Sequence, residues 1–250
     1  MCNFNFISQA DFENHVASTI ETYSRQLSGI NLQDFNSNVI DPIKLLFDKN
    51  VFNKEFEEII NLEIQRQRDK SNTNAIGYFH QNMFRYIENC EVPLHGWDVI
   101  YTSPTNGEMI YVEMKNKHNT MNSSSSQKTY ITMQNKIVSD PHCECYLVEV
   151  LAPNSRNITW QMSVNGSRVA NERIRRVSLD QFYALVTGER DAFYQICMQL
   201  PRTIEKIIAL NPALLIQEDS VIDELRQINP DTLLALYKLA FETYEGFENL

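Results

Sequence analysis

The chain has 250 residues, enough for one large domain or two small ones with a real hydrophobic core. Its composition, 43% hydrophobic and 22% charged, is ordinary for a globular protein, and no apolar run approaches the ~20 residues that cross a bilayer. The net charge of −10 weakens the case for a nucleic-acid partner but does not exclude one, because affinity depends on the few cations that meet phosphates. Residues 61–185 carry 13 Lys and Arg against 12 Asp and Glu, so the acid is concentrated toward the two ends.

The amino terminus has neither the basic flank nor the apolar stretch of a signal peptide, so a cytoplasmic protein without a membrane partner is expected. The five cysteines are odd in number and scattered, which argues against a disulfide framework. The segment His142–Cys145 could suggest zinc, but no second cluster with ligand spacing exists. Small residues entering a strand are the better interpretation.

Helices are predicted for the first ninety residues, where apolar side chains recur at spacings of three and four. A hinge is predicted at Asp69–Asn74, ahead of a further helix over Ile76–Ile87. The pattern then changes to β-rich runs at Trp97–Thr102 and Met109–Lys115, and the turn signal Ser103–Gly107 between them predicts a hairpin.

The second half of the chain is predicted to complete a sheet and then to become helical. Four serines in the polar loop 119–126 are expected to cap a helix near 127–138. The continuous apolar run Tyr146–Leu151 is typical of a central strand, and Ile158–Val164 is expected to turn at Asn165-Gly166 into another strand. From Ser178 onward helices are predicted, with interruptions at Pro201, Pro212 and Pro230.

The predicted architecture is α/β (α+β), a small mixed central sheet flanked by helices. We expect a single domain with a helical amino-terminal region over 1–60, a core over 61–185 and a helical carboxy-terminal region over 186–250.

The hairpin carries the residues with the clearest chemistry. Asp98 lies on its first strand, and Glu113 and Lys115 lie two apart on the second, so that both face the same side. Two carboxylates offer the hard oxygen ligands that suit Mg²⁺, and a lysine beside such a metal can orient or deprotonate an attacking water. A solvent-facing, salt-bridged hairpin would show the same three residues, and the motif alone does not decide between the two.

Asp98 followed by Val112-Glu113-Met114-Lys115 resembles the PD-(D/E)XK nuclease signature, with Trp97 in place of the proline. Longer stretches, Glu63–Gln67, Asn74–Gln81 and Glu113–Ser123, resemble type II restriction endonucleases of the subgroup that cleaves GGNCC. The resemblance spans roughly residues 55–200. It implies a PD-(D/E)XK nuclease core and Mg²⁺-dependent hydrolysis of both strands of duplex DNA at a short palindromic site.

The resemblance also implies roles for individual residues. Asp98 and Glu113 would bind Mg²⁺ together with the backbone carbonyl of Met114, and Lys115 would position the attacking water. Glu63 would be a further acid supplied by a preceding helix, although a solvated carboxylate on an amphipathic helix is the simpler alternative.

Polar residues around this motif suit DNA. Arg66, Lys70 and Asn74 are spaced by four, so on a helix they share one face, and Gln81 would either contact a base or cap the local backbone. The remaining candidates follow the lysine of the motif and could hold phosphates or read base edges, unless they form an ordinary polar loop: Asn116, Lys117, His118, Asn119, Asn122, Ser123 and Lys128.

Arg173, Arg175 and Arg176 form the densest basic cluster. They are interpreted either as a grip on the DNA backbone or as part of a solvated edge strand.

A palindromic target implies a two-fold symmetric reader, so a homodimer is expected, with the acidic helical ends as its interface. A cognate DNA methyltransferase is implied by the resemblance alone. Two alternatives stay open: another nuclease of the same superfamily, acting in repair or junction resolution, and a non-catalytic DNA-binding protein.

Overall fold

The structure, a computed structural model, describes residues 4–27, 29–37, 39–118, 121–164, 166–212 and 219–241. The chain forms two compact units, one of residues 1–19 and 74–210 and the other of residues 20–73 and 211–250. Among the described residues, no helix combines the length and apolar character needed to cross a membrane.

The first unit is built on a six-stranded mixed sheet with the strand order β1-β2-β3-β4-β6-β5. Adjacent strands are antiparallel except for β3 with β4 and β4 with β6, which are parallel. The strands span β1 Cys90–Glu91, β2 Val99–Thr102, β3 Met109–Lys117, β4 Cys143–Leu151, β5 Asn157–Val164 and β6 Ser167–Ser178. The predicted small mixed sheet flanked by helices is confirmed.

Helices in the described residues account for most of the remaining chain. They are α1 Gln9–Leu27, α2 Leu32–Phe35, α3 Pro42–Phe52, α4 Phe56–Met83, α5 Ser123–Ser139, α6 Leu179–Thr187, α7 Ala192–Leu210, α8 Val221–Ile228 and α9 Thr232–Phe241, with a 3₁₀ turn at Phe84–Tyr86.

One face of the sheet packs against α5, which crosses over between the parallel strands β3 and β4. Side chains from both sides close this core, with Tyr130 and Met133 from α5 and Cys145 and Leu147 from β4 completely or almost completely buried. Cys143 and Cys145 are therefore small residues of a buried strand, as predicted, and the described residues contain no group of three His, Cys, Asp or Glu that could hold a metal.

In the second unit, parts of α1 and α4 lie with α2, α3, α8 and α9. Its core includes Phe35, Leu45, Ile60 and Leu225, all of them buried. Asp219 adds polar contacts to this unit, because its carboxylate accepts hydrogen bonds from the buried Arg68 guanidinium and from the Ile30 backbone N–H.

Two predicted helix breaks are wrong. Helix α4 is continuous through Asp69–Asn74, because Ser, Asn and Asp lower helix propensity without breaking a helix as proline does. Pro201 lies inside α7, where it removes one hydrogen bond but does not end the helix. Pro212 and Pro230 do lie between helices, as predicted.

The helix predicted near 127–138 begins earlier, at Ser123. Asn122 is its N-cap, and its side chain accepts from the Ser125 backbone N–H at 2.8 Å. The serines therefore occupy the first turn rather than the cap. The hairpin turn is as predicted: Gly107 has φ +72°, in the left-handed region that favours glycine.

Leu147→Ala is expected to lower the free energy of unfolding by about 3 kcal/mol, since it opens a cavity between β4 and α5. Leu151→Ala, on the same strand but with a half-exposed side chain, is the matched control and should change it by no more than ~0.5 kcal/mol. Chemical denaturation of the purified chain measures both. Equal losses in the two variants would contradict the packing described for β4.

Candidate active site

The fold brings Asp98, Glu113 and Lys115 close together; we call these three residues the hairpin site. Glu113 and Lys115 are two apart on β3 and share a face, which is the α5 face because Tyr111, two residues before Glu113, belongs to the core under α5. Asp98 directly precedes β2 and departs from its register, as at a β-bulge: Val99 is the partner of Val112, yet the Asp98 N–H also bonds to the Val112 carbonyl. Its carboxylate reaches β3 at the Met114 backbone N–H, between Glu113 and Lys115.

Asp98 is fixed by three hydrogen bonds. Its Oδ2 accepts from the Met114 backbone N–H at 2.7 Å, its own N–H donates to the Val112 carbonyl at 2.9 Å, and its carbonyl accepts from Gln81 Nε2 at 3.2 Å. The carboxylate is therefore tied directly to the strand that carries the other two residues. Gln81 thus makes the backbone contact that is one of its two predicted roles, and its contact to a base stays a prediction.

Glu113 and Lys115 form an ion pair along β3. Lys115 Nζ donates to Glu113 Oε1 at 2.6 Å. The Lys115 side chain is 30% exposed and the Glu113 side chain is 26% exposed. Both are thus partly covered but open to solvent. The structure therefore contains the salt bridge of the structural alternative and, beside it, a half-buried Asp98 that a freely solvated hairpin would not have.

The pKa of the Asp98 carboxyl is raised above its ordinary value of 3.8. Burial is the main cause and the nearby charge of Glu113 adds to it, whereas the hydrogen bond from Met114 and the charge of Lys115 act in the opposite direction. In the absence of a further cation, the folded chain therefore disfavours the ionised form of Asp98.

These donors fit a small divalent cation. Asp98 and Glu113 supply hard carboxylate oxygens, and a bound cation would offset the electrostatic cost of ionising Asp98 beside Glu113. The backbone N–H of Met114 and the carbonyl of Val112 both point toward Asp98. Residues two apart on a strand direct their backbone groups to the same edge, so the Met114 carbonyl points to the Asp98 side of β3 as well. Mg²⁺ is bound by few protein ligands and keeps several waters, so two carboxylates and a carbonyl suffice.

A cleft of about 520 Å³ opens beside the hairpin site. Glu113 and Lys115 form one wall, and the first turns of α5 form another, with Ser125 and Lys128 among the lining residues. Lys128 is exposed and, like Lys115, contributes a positive charge to the cleft. The cleft therefore joins the hairpin site to one of the predicted DNA-binding lysines.

Other predicted DNA-binding residues lie around the end of β3. Asn116 is partly buried, Lys117 and His118 are exposed, and the His118 backbone N–H donates to the Leu151 carbonyl at 3.2 Å. Ser123 is exposed at the start of α5. Asn119 lies outside the described residues.

Glu63, Arg66 and Lys70 belong to the second unit. Glu63 is buried, and Arg66 and Gln67 both donate to it, so it is not the solvated carboxylate of the simpler alternative. Burial alone would raise the pKa of Glu63, but the hydrogen bond and charge of Arg66 outweigh it and the pKa is lowered. Arg66 and Lys70 are exposed on the continuous helix α4, which also contains Asn74.

The arginines of β6 have three different environments. Arg173 donates to the Pro141 carbonyl, Arg175 to Asn157, and Arg176 to the buried carboxylate of Glu149. Strand β6 pairs with β4 on one side and β5 on the other, so the edge-strand interpretation is wrong.

Glu149 was missed among the predicted residues. The signal was present in the sequence, because an acid within the apolar run Tyr146–Leu151 of a central strand must find a charged partner.

The mixed sheet, its flanking helices and the crossover through α5 correspond to the PD-(D/E)XK nuclease fold. Residues 4–209 match the model of the Eco47II restriction endonuclease family, and the chain belongs to that family.

Two curated relatives agree with this assignment. The type II restriction enzyme Sau96I of Staphylococcus aureus is 30% identical over 210 residues, which are 80% of this chain and 79% of the relative. The type II restriction enzyme Eco47II of Escherichia coli is 30% identical over 220 residues, which are 84% and 90%. The chain therefore belongs to the type II restriction endonucleases, as the sequence resemblance implied.

Asp98→Asn is expected to reduce DNA cleavage about 10³-fold and at the same time to stabilise the fold at neutral pH. Because the folded-state pKa of Asp98 is raised, the wild type loses stability as pH rises from the unfolded-state pKa through the folded-state value. Asparagine cannot ionise and keeps the acceptor for Met114, so the Tm difference should vanish below pH 3.8.

Thermal unfolding with and without Mg²⁺ checks this result, since Mg²⁺ should raise the Tm of the wild type but not of Asp98→Asn. The exposed Asp191→Asn is the control and should behave as wild type in both respects. A lower Tm for Asp98→Asn at neutral pH would refute the argument.

Proposed function

We propose that this restriction endonuclease hydrolyses both strands of duplex DNA at a short palindromic site, GGNCC, in a Mg²⁺-dependent reaction. The observation that carries the proposal is the close grouping of Asp98, Glu113 and Lys115 at the hairpin in a chain of this family. GGNCC is the target of the subgroup that the Glu63–Gln81 and Glu113–Ser123 stretches resemble.

In the proposed mechanism, Asp98, Glu113 and the Met114 carbonyl would hold the metal. Mg²⁺ bound there would supply positive charge near the scissile phosphate and make water a better nucleophile. Asp98 is held in place by its hydrogen bond from Met114, so the carboxylate needs little reorganisation.

Lys115 positions and activates the attacking water. Its Nζ lies 2.6 Å from Glu113 Oε1, so the ammonium group is directed along the same face as the two carboxylates. From there it can orient the water for in-line attack and stabilise charge that develops on the phosphate. The role of Glu63 as a further acid stays a prediction. Its carboxylate is paired with Arg66, so it would have to exchange that partner to bind a metal.

The DNA would lie along the face that carries the cleft, where Lys117 and Lys128 are proposed to hold phosphates. Arg66 and Lys70, which belong to the second unit, are proposed separately as phosphate contacts. The neutral polar candidates are proposed to read base edges or sugars: Asn74, Gln81, Asn116, His118, Asn119, Asn122 and Ser123. Asn122 Oδ1 is engaged at the N-cap of α5, which leaves its side-chain amide as the group to donate to DNA.

A homodimer is proposed because a palindrome presents the same half-site twice, related by a two-fold axis. The cell that makes this enzyme would need a DNA methyltransferase of the same specificity to protect its own sites. The division into regions 1–60, 61–185 and 186–250 also remains a prediction.

Digestion of a plasmid of known sequence with Mg²⁺, followed by sequencing of the fragment ends, tests the proposed activity. Cuts in both strands at GGNCC are expected. Ends at random positions would contradict a site-specific enzyme, and a preference for branched DNA over intact duplex would favour a repair or junction-resolving nuclease.

Lys115→Ala is expected to lower the single-turnover cleavage rate about 10³-fold while DNA binding without metal changes little, since the lysine acts mainly on the transition state. Lys206→Ala is the matched control: this exposed lysine pairs with Glu13 on α1 and should cleave at the wild-type rate. A Lys115→Ala enzyme that cuts normally would remove Lys115 from the mechanism.

A further inference from the structure

We propose that Arg156 and Arg176 form a binding site for a DNA backbone phosphate next to the scissile one, with buried Glu149 holding both guanidinium groups in place. The inference rests on the proposed function, since it takes the hairpin site as the place of cleavage. It adds a site that lies outside the PD-(D/E)XK motif.

Glu149 is a buried carboxylate held between two arginines. Its side chain is 1% exposed, Arg156 Nη2 donates to Oε2 at 2.5 Å, and Arg176 Nη2 donates to Oε1. The backbone of Arg156 is fixed as well, because its N–H donates to Ser178 Oγ at 2.9 Å and its carbonyl accepts from the Ser178 N–H at 2.9 Å. The two guanidinium groups are therefore held before any ligand arrives.

The sheet register puts this cluster beside the hairpin site. Lys115 is the direct neighbour of Glu149 in the parallel pairing of β3 with β4, and neighbouring residues share a face. Two residue pairs earlier, Glu113 lies beside Leu147, and Leu147 lies beside Arg176 on β6. Arg176 is thus two strands from Glu113, a distance of about 10 Å, on the same face.

Arg176 also reaches toward the strand that carries the site. Its Nη2 donates to the His118 carbonyl at 3.3 Å, just beyond the end of β3, and its guanidinium lies 6.0 Å from the centre of the Trp160 ring. The His118 contact directs the guanidinium across β4 toward the end of β3, whereas Trp160, on β5, flanks it on the other side.

The charge balance of the cluster leaves one positive charge without a counterion among the described residues. Two guanidinium groups face one carboxylate, and the Arg156 and Arg176 side chains remain 20% and 26% exposed. Each guanidinium has five N–H donors, so those not used by Glu149 or the backbone can face a ligand on the exposed side. A phosphate would supply the missing negative charge there, and arginine is suited to it by its forked geometry.

The other arginines of β6 do not offer the same site. Arg173 is engaged by the Pro141 carbonyl before the start of β4, at the opposite end of that strand from Glu149. Arg175 is the neighbour of Tyr146 in the sheet, on the other face, and donates to Asn157. Arg176 is therefore the arginine of this strand that is placed to meet DNA at the hairpin site.

The test is fluorescence anisotropy of a labelled GGNCC duplex with the full-length chain, without divalent metal and over a series of salt concentrations. Arg176→Ala is expected to weaken binding about tenfold and to reduce the slope of log affinity against log salt by about 2, the loss of one phosphate contact in each protomer of the proposed homodimer. Arg168→Ala, which removes the same charge from the start of the same strand, should keep the wild-type slope. An unchanged slope for Arg176→Ala, or an equal reduction for Arg168→Ala, overturns the proposal.

A second variant covers the case in which alanine disturbs the fold. Arg176→Gln removes the charge but keeps a donor for Glu149. If Arg176 served only to hold Glu149, this variant would bind DNA with the wild-type affinity and salt slope. Methylphosphonate linkages, which neutralise one phosphate at a time, should identify a position that weakens wild-type binding but not binding by Arg176→Gln. Finding no such position overturns the proposal.

These readouts separate the inference from the proposed function. Cleavage by Asp98→Asn at the wild-type rate would refute the hairpin site and leave the anisotropy result standing. Unchanged salt dependence in Arg176→Gln, with Asp98→Asn inactive, would refute the phosphate site alone.

Discussion

The parallel pairing of β3 with β4 is the constraint on which the rest of the sheet-bearing unit depends. It places Tyr111 beside Cys145 and Glu113 beside Leu147, so that the same register closes the core under α5 and sets the face of the charged residues. A slip of one residue would turn Glu113 and Lys115 away and bring Val112 and Met114 to the α5 face. Packing of the apolar half of the strand therefore determines where its polar half can act.

A cost in stability accompanies this arrangement. Asp98 and Glu113 lie close together at the hairpin, and burial together with the neighbouring charge raises the pKa of Asp98. The hydrogen bond from Met114 and the Lys115 charge offset this effect only in part. A carboxylate pair that is unfavourable without a cation is a reasonable basis for binding one, because the relief of that repulsion becomes part of the binding free energy. The hairpin site thus lowers the stability of the fold in the absence of a cation, as functional sites commonly do.

Local signals made much of this structure predictable from the sequence. The turn at Ser103–Gly107, the strands on either side and the buried run ending at Leu151 all follow from side-chain alternation and turn chemistry. Long-range partners were not predictable in this way. That β6 is an interior strand depends on pairings with β4 and β5, and the polar stretch Asp69–Asn74 stays helical although its composition suggested a hinge. Periodicity describes which face a residue takes, but it does not say which strand lies next to it.

The same limit explains how an acidic chain can bind DNA. Net charge and clustering drew attention to Arg173, Arg175 and Arg176 together, yet their neighbours in the fold distinguish them completely. Two of these arginines are held by neutral groups of the chain, and the third shares the carboxylate of Glu149 with Arg156. A single surplus charge that is partly buried and already oriented contributes more to holding a phosphate than several solvated ones, since it is less screened and loses less side-chain freedom on binding. For a chain of net charge −10, the placement of such a pair beside Lys115 therefore matters more for DNA binding than the overall balance of acid and base.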